Sequence, residues 1–205
     1  MQNKTKRLVL MAMLTAISVV LVLLIRLPLF PAAPYLEYDM ADVPVLLASF
    51  VLGPGAGVAV LVAASAIQAF MLGGNGIIGF IMHVCASGAL VVLAPLIWRA
   101  GGRNMASMLG GLLVGTCAMA LLMLPLNFIF TPMLFFGVPI NESFGIFISG
   151  GAGEFSANAV SAYQMVRGLL WVVLLPFNLV KAGLNSIIFF VLYRALQPAL
   201  KNLHK

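Results

Sequence analysis

The sequence has 205 residues, of which 63% are hydrophobic and only 8% are charged, and its mean hydropathy is +1.14. Soluble domains carry about 25% charged residues, so this composition excludes a soluble enzyme and a soluble nucleic-acid-binding domain. The net charge of +6 comes from a few basic residues between long apolar runs, and such residues orient membrane helices rather than bind nucleic acid. We therefore expect an all-α integral membrane protein in the lipid bilayer.

The first apolar run is interpreted as a membrane helix over about 8–25. Lys4, Lys6 and Arg7 precede it and Pro31-Ala32-Ala33 follows it, a pattern that also resembles a secretory signal peptide with its cleavage site. The helix interpretation is preferred because it gives the whole chain a more regular charge topology.

The second apolar run, residues 43–72, is longer than the roughly 20 residues that one membrane helix needs. Gly53-Pro54-Gly55 lies in its middle and indicates a turn. If the run divides there, most basic residues lie on one side of the membrane, which the positive-inside rule makes the cytoplasm. This side would carry eight of the eleven: Lys4, Lys6, Arg7, Arg99, Arg103, Arg194, Lys201 and Lys205.

The divided run predicts a single domain over 1–205 with six transmembrane helices and both termini in the cytoplasm. The helices are expected at about 8–25, 43–52, 55–72, 77–98, 105–130 and 165–196. The second is too short to cross the bilayer, so it either begins within the preceding loop or lies inside the bundle. Two long connections, 28–42 and 131–164, would lie outside. The second of these is rich in glycine and expected to be mobile, and long connections often serve as lids.

Lys181 is the most informative single residue, because it lies near the middle of the last predicted helix. A lysine near the bilayer centre is costly and normally faces the bundle interior or a cavity. Asn178 and Asn185 lie on the same helical face, and Pro176 frees a backbone carbonyl nearby. We predict a ligand contact at Lys181. The alternatives are a lysine that extends to the membrane interface and a buried salt bridge with an acid of the outer loop.

Asn127 is the second candidate, near the outer end of the fifth predicted helix and one turn before Thr131. Its amide offers paired donors and acceptors that suit a planar heterocycle. The alternative is a hydrogen bond that joins two membrane helices.

The first outer connection holds two tyrosines and three acids between residues 34 and 44. Such a segment suits a lid that places aromatic faces over a ligand. The alternative is an interfacial aromatic belt followed by a helix N-cap. For Asp42 we favour the cap, since Pro44 follows it in the first helical turn.

The remaining motifs give weaker indications of function. Ala12 and Ala16 form a small-x-x-x-small pair that lets another helix approach closely, with internal packing as the alternative. His83 has no histidine or carboxylate near it in sequence, so no metal site is expected. No catalytic arrangement of serine or cysteine with histidine, and no carboxylate pair, stands out. We therefore expect no enzyme, no catalytic residue and no cofactor.

Taken together, these residues make the chain resemble the substrate-binding subunit of an energy-coupling-factor (ECF) vitamin transporter, most closely the riboflavin-specific branch. The resemblance covers nearly the whole chain. It departs from the family at Glu37, where a basic residue often stands, and at Met40-Ala41. The motifs that carry it are LEYDMADVP (36–44), LGPGAG (52–57), GIIG (76–79) and PFNLVK (176–181).

The resemblance implies a multi-pass protein of a prokaryotic plasma membrane that captures riboflavin from outside and has no transport power alone. Its implied partners are a transmembrane coupling protein and two cytoplasmic ATP-binding subunits, with Ala12 and Ala16 on the face that docks on the coupling protein. ATP hydrolysis would tilt the whole subunit and expose the site to the cytoplasm. Asn127, Asn178 and Lys181 would meet the polar edge of the flavin. The segment that closes over it would comprise Tyr35, Leu36, Glu37, Tyr38, Asp39 and Met40.

Two other functions remain open at this point: a subunit of the same class for another vitamin, and a stand-alone small-molecule transporter. Transporters of the second kind usually contain internal repeats, and this sequence shows no convincing one.

Overall fold

The computed structural model describes residues 4–29, 36–73 and 75–203, with side chains as far as residue 198. Most of these residues are helical, and two short antiparallel strands lie between the first two helices. A π-helical turn, Leu170–Leu174, joins the last two helices without a break. In chain order the elements are α1 (Lys4–Leu24), β1 (Leu27–Pro28), β2 (Glu37–Tyr38), α2 (Asp42–Leu52), α3 (Pro54–Met71), α4 (Gly76–Ala100), α5 (Met105–Phe136), α6 (Ile140–Ser149), α7 (Ala157–Leu169) and α8 (Leu175–Leu203).

Within the described ranges, five helical segments are long and apolar enough to cross a membrane: α1, α3, α4, α5 and the continuous segment Ala157–Pro198. The apolar helix α2 has only 11 residues. It packs against α1, α3, α4 and α8, and Val45, Leu46 and Ala48 are almost wholly buried. A helix that is apolar all round belongs in the interior of a protein. The sequence left two possibilities for this short helix, a start within the preceding loop or a position inside the bundle. In the structure α2 lies inside the bundle.

The chain reverses direction between α2 and α3 at Gly53. This residue has φ +110° and ψ 157°, a conformation that is essentially confined to glycine. Pro54 then starts α3, where its missing N–H leaves no hydrogen bond unmade. Beyond the turn the two helices approach so closely that a side chain at Gly57 would collide with Ser49.

An aromatic cluster fills the core at the same end of the bundle as this turn. The ring centroid of Phe50 lies 4.7 Å from that of Phe189 and 5.1 Å from that of Trp98. Tyr193 meets Trp98 edge to face at 6.0 Å. The cluster joins α2, α4 and α8, so the end opposite the long connections is packed with side chains.

The prediction of a mobile connection over 131–164 is wrong. Helix α5 continues to Phe136, and the connection contains α6 and the beginning of α7. Hydrogen bonds hold α6 and α7 on α5: Ser143 Oγ donates to the Ile129 carbonyl and Asn158 Nδ2 to the Phe136 carbonyl, each at 2.5 Å. The last long helical segment accordingly begins at Ala157 rather than at 165. The glycines end helices instead of forming a flexible loop, with Gly137 and Gly150 in left-handed conformations at the C-caps of α5 and α6.

The π-helical turn ends two residues before Pro176 in the sequence. Proline cannot donate to the preceding turn, and its ring needs room there, which a wider π turn supplies. The carbonyl of Leu174 accepts a hydrogen bond of 2.7 Å from Asn178 Nδ2. This turn therefore fixes the first polar side chain of α8.

Candidate functional site

One cavity of about 240 Å³ lies between α1, α3, α4, α5 and α8 and is bordered by the segment that contains β2. Its lining combines apolar and sulfur-containing side chains with a small number of polar ones, which is the usual composition of a small-molecule site. The apolar lining includes Val22, Leu36, Met82, Met119, Met123, Leu134, Phe135 and Phe177.

Two buried amides and a lysine form one polar side of this cavity, which we call the amide–lysine wall (Asn127, Thr131, Asn178 and Lys181). Asn127 is 2% exposed, donates to the Met123 carbonyl at 2.8 Å and accepts from Thr131 Oγ1 at 3.0 Å. Asn178 is 1% exposed and uses one N–H on its own helix. Since an amide has two N–H donors and two oxygen lone pairs, both side chains can form further hydrogen bonds with a ligand.

Lys181 forms an ion pair with Asp39, whose Oδ2 lies 2.7 Å from Nζ. Both side chains are 13% exposed, and the carboxylate lowers the cost of a cation at this depth. Of the readings that the sequence left open, the salt bridge with an acid of the first connection is therefore present. Lys181 also lines the cavity, and an ammonium group has three donors, so the ion pair leaves it able to bind a ligand.

The segment around Asp39 is fastened to α8 by further hydrogen bonds. Asn185 Nδ2 donates to the Asp39 carbonyl at 3.1 Å, and the Tyr38 hydroxyl donates to Asn185 Oδ1 at 3.0 Å. Burial, together with the Asp39 carboxylate, raises the pKa of the Tyr38 hydroxyl above its ordinary value, so the phenol stays protonated and donates at neutral pH. Polar side chains of α8 thus hold Tyr38 and Asp39 in place beside the cavity.

A second polar side of the cavity, the histidine wall (Ser65, Gln68, His83 and Ser87), comes from α3 and α4. His83 Nδ1 lies 3.0 Å from Ser65 Oγ, and its Nε2 lies 3.3 Å from Asp42 Oδ1. A carboxylate only accepts hydrogen bonds. We therefore assign the Nε2–H tautomer, in which the Ser65 hydroxyl donates to Nδ1.

The expected role of Asp42 as a helix N-cap is wrong. The N-cap position of α2 is Ala41, and no side chain caps it. Asp42 is 0% exposed, and its carboxylate accepts from His83 and, at 3.2 Å, from Ser87 Oγ. Pro44 in the first turn suggested the cap, but a buried carboxylate requires hydrogen-bond donors, and α4 supplies them.

The mouth of the cavity is formed by residues that end helices or belong to connections. Arg26, just after α1, lies 3.8 Å from Glu37 Oε2 and donates to the Leu72 carbonyl at 3.4 Å. Gly73 and Asn75, in the turn between α3 and α4, have positive φ and complete the rim. The Arg26–Glu37 pair is substantially exposed, and such pairs contribute little to stability.

The structure brings six of the predicted binding residues together around the cavity: Leu36, Glu37, Asp39, Asn127, Asn178 and Lys181. Two others are directed elsewhere, since Tyr38 binds Asn185 and Met40 packs against the main core. Tyr35 lies outside the described residues. Ala12 and Ala16 are exposed on α1.

The sequence did not predict that the histidine wall lines the cavity. Ser65 and His83 are 18 residues apart, and Asp42 and His83 are 41 apart, so no spacing pattern connects them. The signal present in the sequence is the polarity of Ser65 and Gln68 in an otherwise apolar helix, at a separation of three that gives them a common face. Within the described ranges, no group of three His, Cys, Asp or Glu residues could hold a metal ion.

Comparisons with known proteins agree over almost the whole chain. Residues 6–193 match the profile of the family described as ECF transporter, substrate-specific component. The chain is 30% identical over 201 residues to the riboflavin transporter RibU of Staphylococcus aureus (strain TCH60), a match that covers 98% of this chain and 95% of that relative. It is 33% identical over 199 residues to the riboflavin transporter FmnP of Bacillus subtilis (strain 168), with 95% and 94% covered.

The solved structure of the S component of a bacterial ECF transporter has the same fold. The superposition has a TM-score of 0.70 at 28% identity and covers 97% of this chain and 99% of that chain. These relatives are transporter components rather than enzymes. Together with the apolar helices, they indicate a multi-pass protein of the plasma membrane.

Proposed function

We propose that this chain, which belongs to the family of substrate-specific components of ECF transporters, captures riboflavin in the cavity between α1, α3, α4, α5 and α8. The observation that carries the proposal is the amide–lysine wall: Asn127, Asn178 and Lys181 meet in a single cavity. Two relatives that match nearly the whole chain are named riboflavin transporters.

Riboflavin matches the chemistry of this cavity. Its ring system is planar, and one edge carries carbonyl and N–H groups that an asparagine amide can pair with. Lys181 then donates one N–H to a ring carbonyl and keeps another for Asp39, 2.7 Å away. The faces of the ring lie against methionine, phenylalanine and leucine side chains of the lining.

In this account ligand binding and loop position are linked through α8. Leu36 and Glu37 line the cavity, and Asp39 and Tyr38 are bound to Lys181 and Asn185. A flavin that contacts Lys181 therefore stabilises the part of α8 that binds Tyr38 and Asp39 of the connection. Residues 36–39 serve as a cover over the bound ring, with the Arg26–Glu37 pair at its edge.

We further propose six membrane helices: α1 to α5 and the segment Ala157–Pro198, with α2 enclosed by the others. Both termini then lie in the cytoplasm, and the connections after α1 and α5 lie outside. The excess of Lys and Arg near the termini and in the α4–α5 turn supports this orientation. The cavity mouth at Arg26, Glu37 and Asn75 faces the external medium.

The proposed partners are an ECF transmembrane coupling protein and two cytoplasmic ATP-binding subunits. The exposed pair Ala12 and Ala16 supports docking through α1, because small residues let two membrane helices approach closely. In that assembly this chain supplies recognition of the vitamin and its partners supply the energy.

A fluorescence titration in detergent tests the proposal. Added riboflavin should be quenched on binding to the wild-type protein, and Asn178→Leu should weaken the affinity roughly tenfold or more, since a buried amide contact is lost. Asn141→Leu is the matched control, because Asn141 is exposed on α6. Equal riboflavin affinity for wild type and Asn178→Leu would remove Asn178 from the site, and absence of quenching by the wild type would reject the riboflavin assignment.

A further inference from the structure

Gln68 is a buried polar residue that the proposed contacts to the flavin ring do not use. It lies on α3, is 8% exposed and lines the cavity. Its Nε2 atom has no hydrogen-bond partner among the described residues. A buried N–H group without an acceptor is unfavourable and rare in native proteins, so this amide is suited to an acceptor that a ligand provides.

Ser65 lies three residues before Gln68 and lines the same cavity. Its hydroxyl donates to His83 Nδ1, because the other ring nitrogen of His83 is held by Asp42. The Ser65 oxygen consequently keeps lone pairs and can accept. The pair therefore offers a donor at Gln68 and an acceptor at Ser65, a combination that matches hydroxyl groups, which both donate and accept.

This pair belongs to a different side of the cavity from the amide–lysine wall. Helix α3 packs against α1, α2 and α4, whereas α8 packs against α2, α5 and the π-helical turn. A ligand that spans the cavity would therefore place one polar part against Asn178 and Lys181 and another against Gln68. Riboflavin has two such parts: the carbonyl edge of its ring and a hydroxylated side chain.

We propose that Gln68 and Ser65 form a hydroxyl-binding subsite that holds the ribityl chain of the flavin. This assignment rests on the proposed riboflavin function and extends it to the second polar part of the ligand. Gln68 donates to a hydroxyl oxygen, and Ser65 accepts from a hydroxyl while the His83–Asp42 pair holds it in place. The subsite distinguishes flavins by their side chain and is indifferent to the ring.

The test compares riboflavin with lumiflavin, which has a methyl group where riboflavin has its ribityl chain. Gln68→Leu and Ser65→Ala are titrated with both flavins, and Gln164→Leu, at an exposed position of α7, is the matched control. We expect Gln68→Leu to weaken riboflavin binding roughly tenfold and Ser65→Ala to weaken it less. Lumiflavin binding should stay within about twofold of wild type, which also shows that the variants are folded.

The subsite would be overturned if neither variant lost affinity for riboflavin relative to lumiflavin. It would also be overturned if the variants lost affinity equally for both flavins. If the wild-type protein binds neither flavin, the proposed riboflavin function fails and the subsite with it. If the wild type binds riboflavin and both variants bind it equally well, the subsite alone fails.

Discussion

Nζ of Lys181 lies 2.7 Å from Oδ2 of Asp39. This ion pair joins α8 directly to the connection that precedes α2. The same connection is held again by Asn185, which accepts from Tyr38 and donates to the Asp39 carbonyl. The cavity cover and the ligand-binding face of α8 are thus parts of one hydrogen-bonded unit. This relationship explains how residues 36–41 of the connection keep a defined position beside the cavity.

Breaking the ion pair from one side should destabilise the protein. Asp39→Asn leaves the Lys181 ammonium without its carboxylate at 13% exposure, and the expected loss is about 3 kcal/mol in the free energy of unfolding. Lys181→Met leaves the carboxylate alone and should also be destabilising. Thermal unfolding of ligand-free protein in detergent measures both effects.

The double variant Asp39→Asn/Lys181→Met is the control for this prediction. Because it removes both charges, its loss of stability should be clearly smaller than the sum of the single losses. Strict additivity would show that the two side chains do not interact in the folded protein.

His83 should be required for stability because it donates a hydrogen bond to a fully buried carboxylate, that of Asp42. Among the described residues, His83→Leu leaves Asp42 with Ser87 as its remaining side-chain hydrogen-bond donor, and we expect a loss of about 3 kcal/mol because a buried charged group loses a hydrogen bond. Adding Asp42→Asn removes the buried charge and should recover a substantial part of the stability. A double variant that is less stable than His83→Leu would contradict the assigned contact.

Much of the architecture could be predicted because membrane helices are encoded locally. Runs of apolar residues give α1, α3, α4 and α5 to within a few residues, apart from the end of α5. The family resemblance, drawn from four short motifs, is confirmed by the match over residues 6–193. Prediction failed over 131–164, where the glycines suggested a mobile loop although glycine also caps the C-termini of helices.

The candidate site was predicted on its α5 and α8 side and at the connection before α2, but not on its α3 and α4 side. Lys181 and Asn178 could be predicted as candidate binding residues because each is polar within an apolar helix, and both line the cavity. The roles of Asp42 and His83 depend on a contact between residues 41 positions apart. No local pattern reports such a contact, so the histidine wall emerges only from the packing of α2, α3 and α4.

The turn between α2 and α3 gives a prediction that is independent of the ligand. Gly53 has φ +110° and ψ 157°, and Gly53→Ala should cost about 1–3 kcal/mol because this conformation excludes a side chain. Gly55→Ala, two residues later in α3, is the matched control. Its added Cβ meets nothing within 4 Å, and alanine there should be neutral or stabilising by up to about 1 kcal/mol. Equal thermal midpoints for the two variants would argue against the turn geometry.

Docking and ligand binding should be separable on α1. Ala12→Phe and Ala16→Phe should leave riboflavin affinity in detergent unchanged, because both positions are exposed and neither lines the cavity. Uptake of riboflavin by cells that contain the coupling protein and the ATP-binding subunits should fall roughly tenfold or more. Ile17→Phe, on another exposed face of α1, is the control and should retain uptake. Equal uptake by all three variants would place the docking surface elsewhere.

The central claim is that this chain is a riboflavin-binding membrane subunit, and the most direct test is the absorption spectrum of the protein purified in detergent from cells that make flavin. The account predicts a yellow protein with one flavin per chain and quenched flavin fluorescence. A colourless protein that also fails to quench added riboflavin would contradict it.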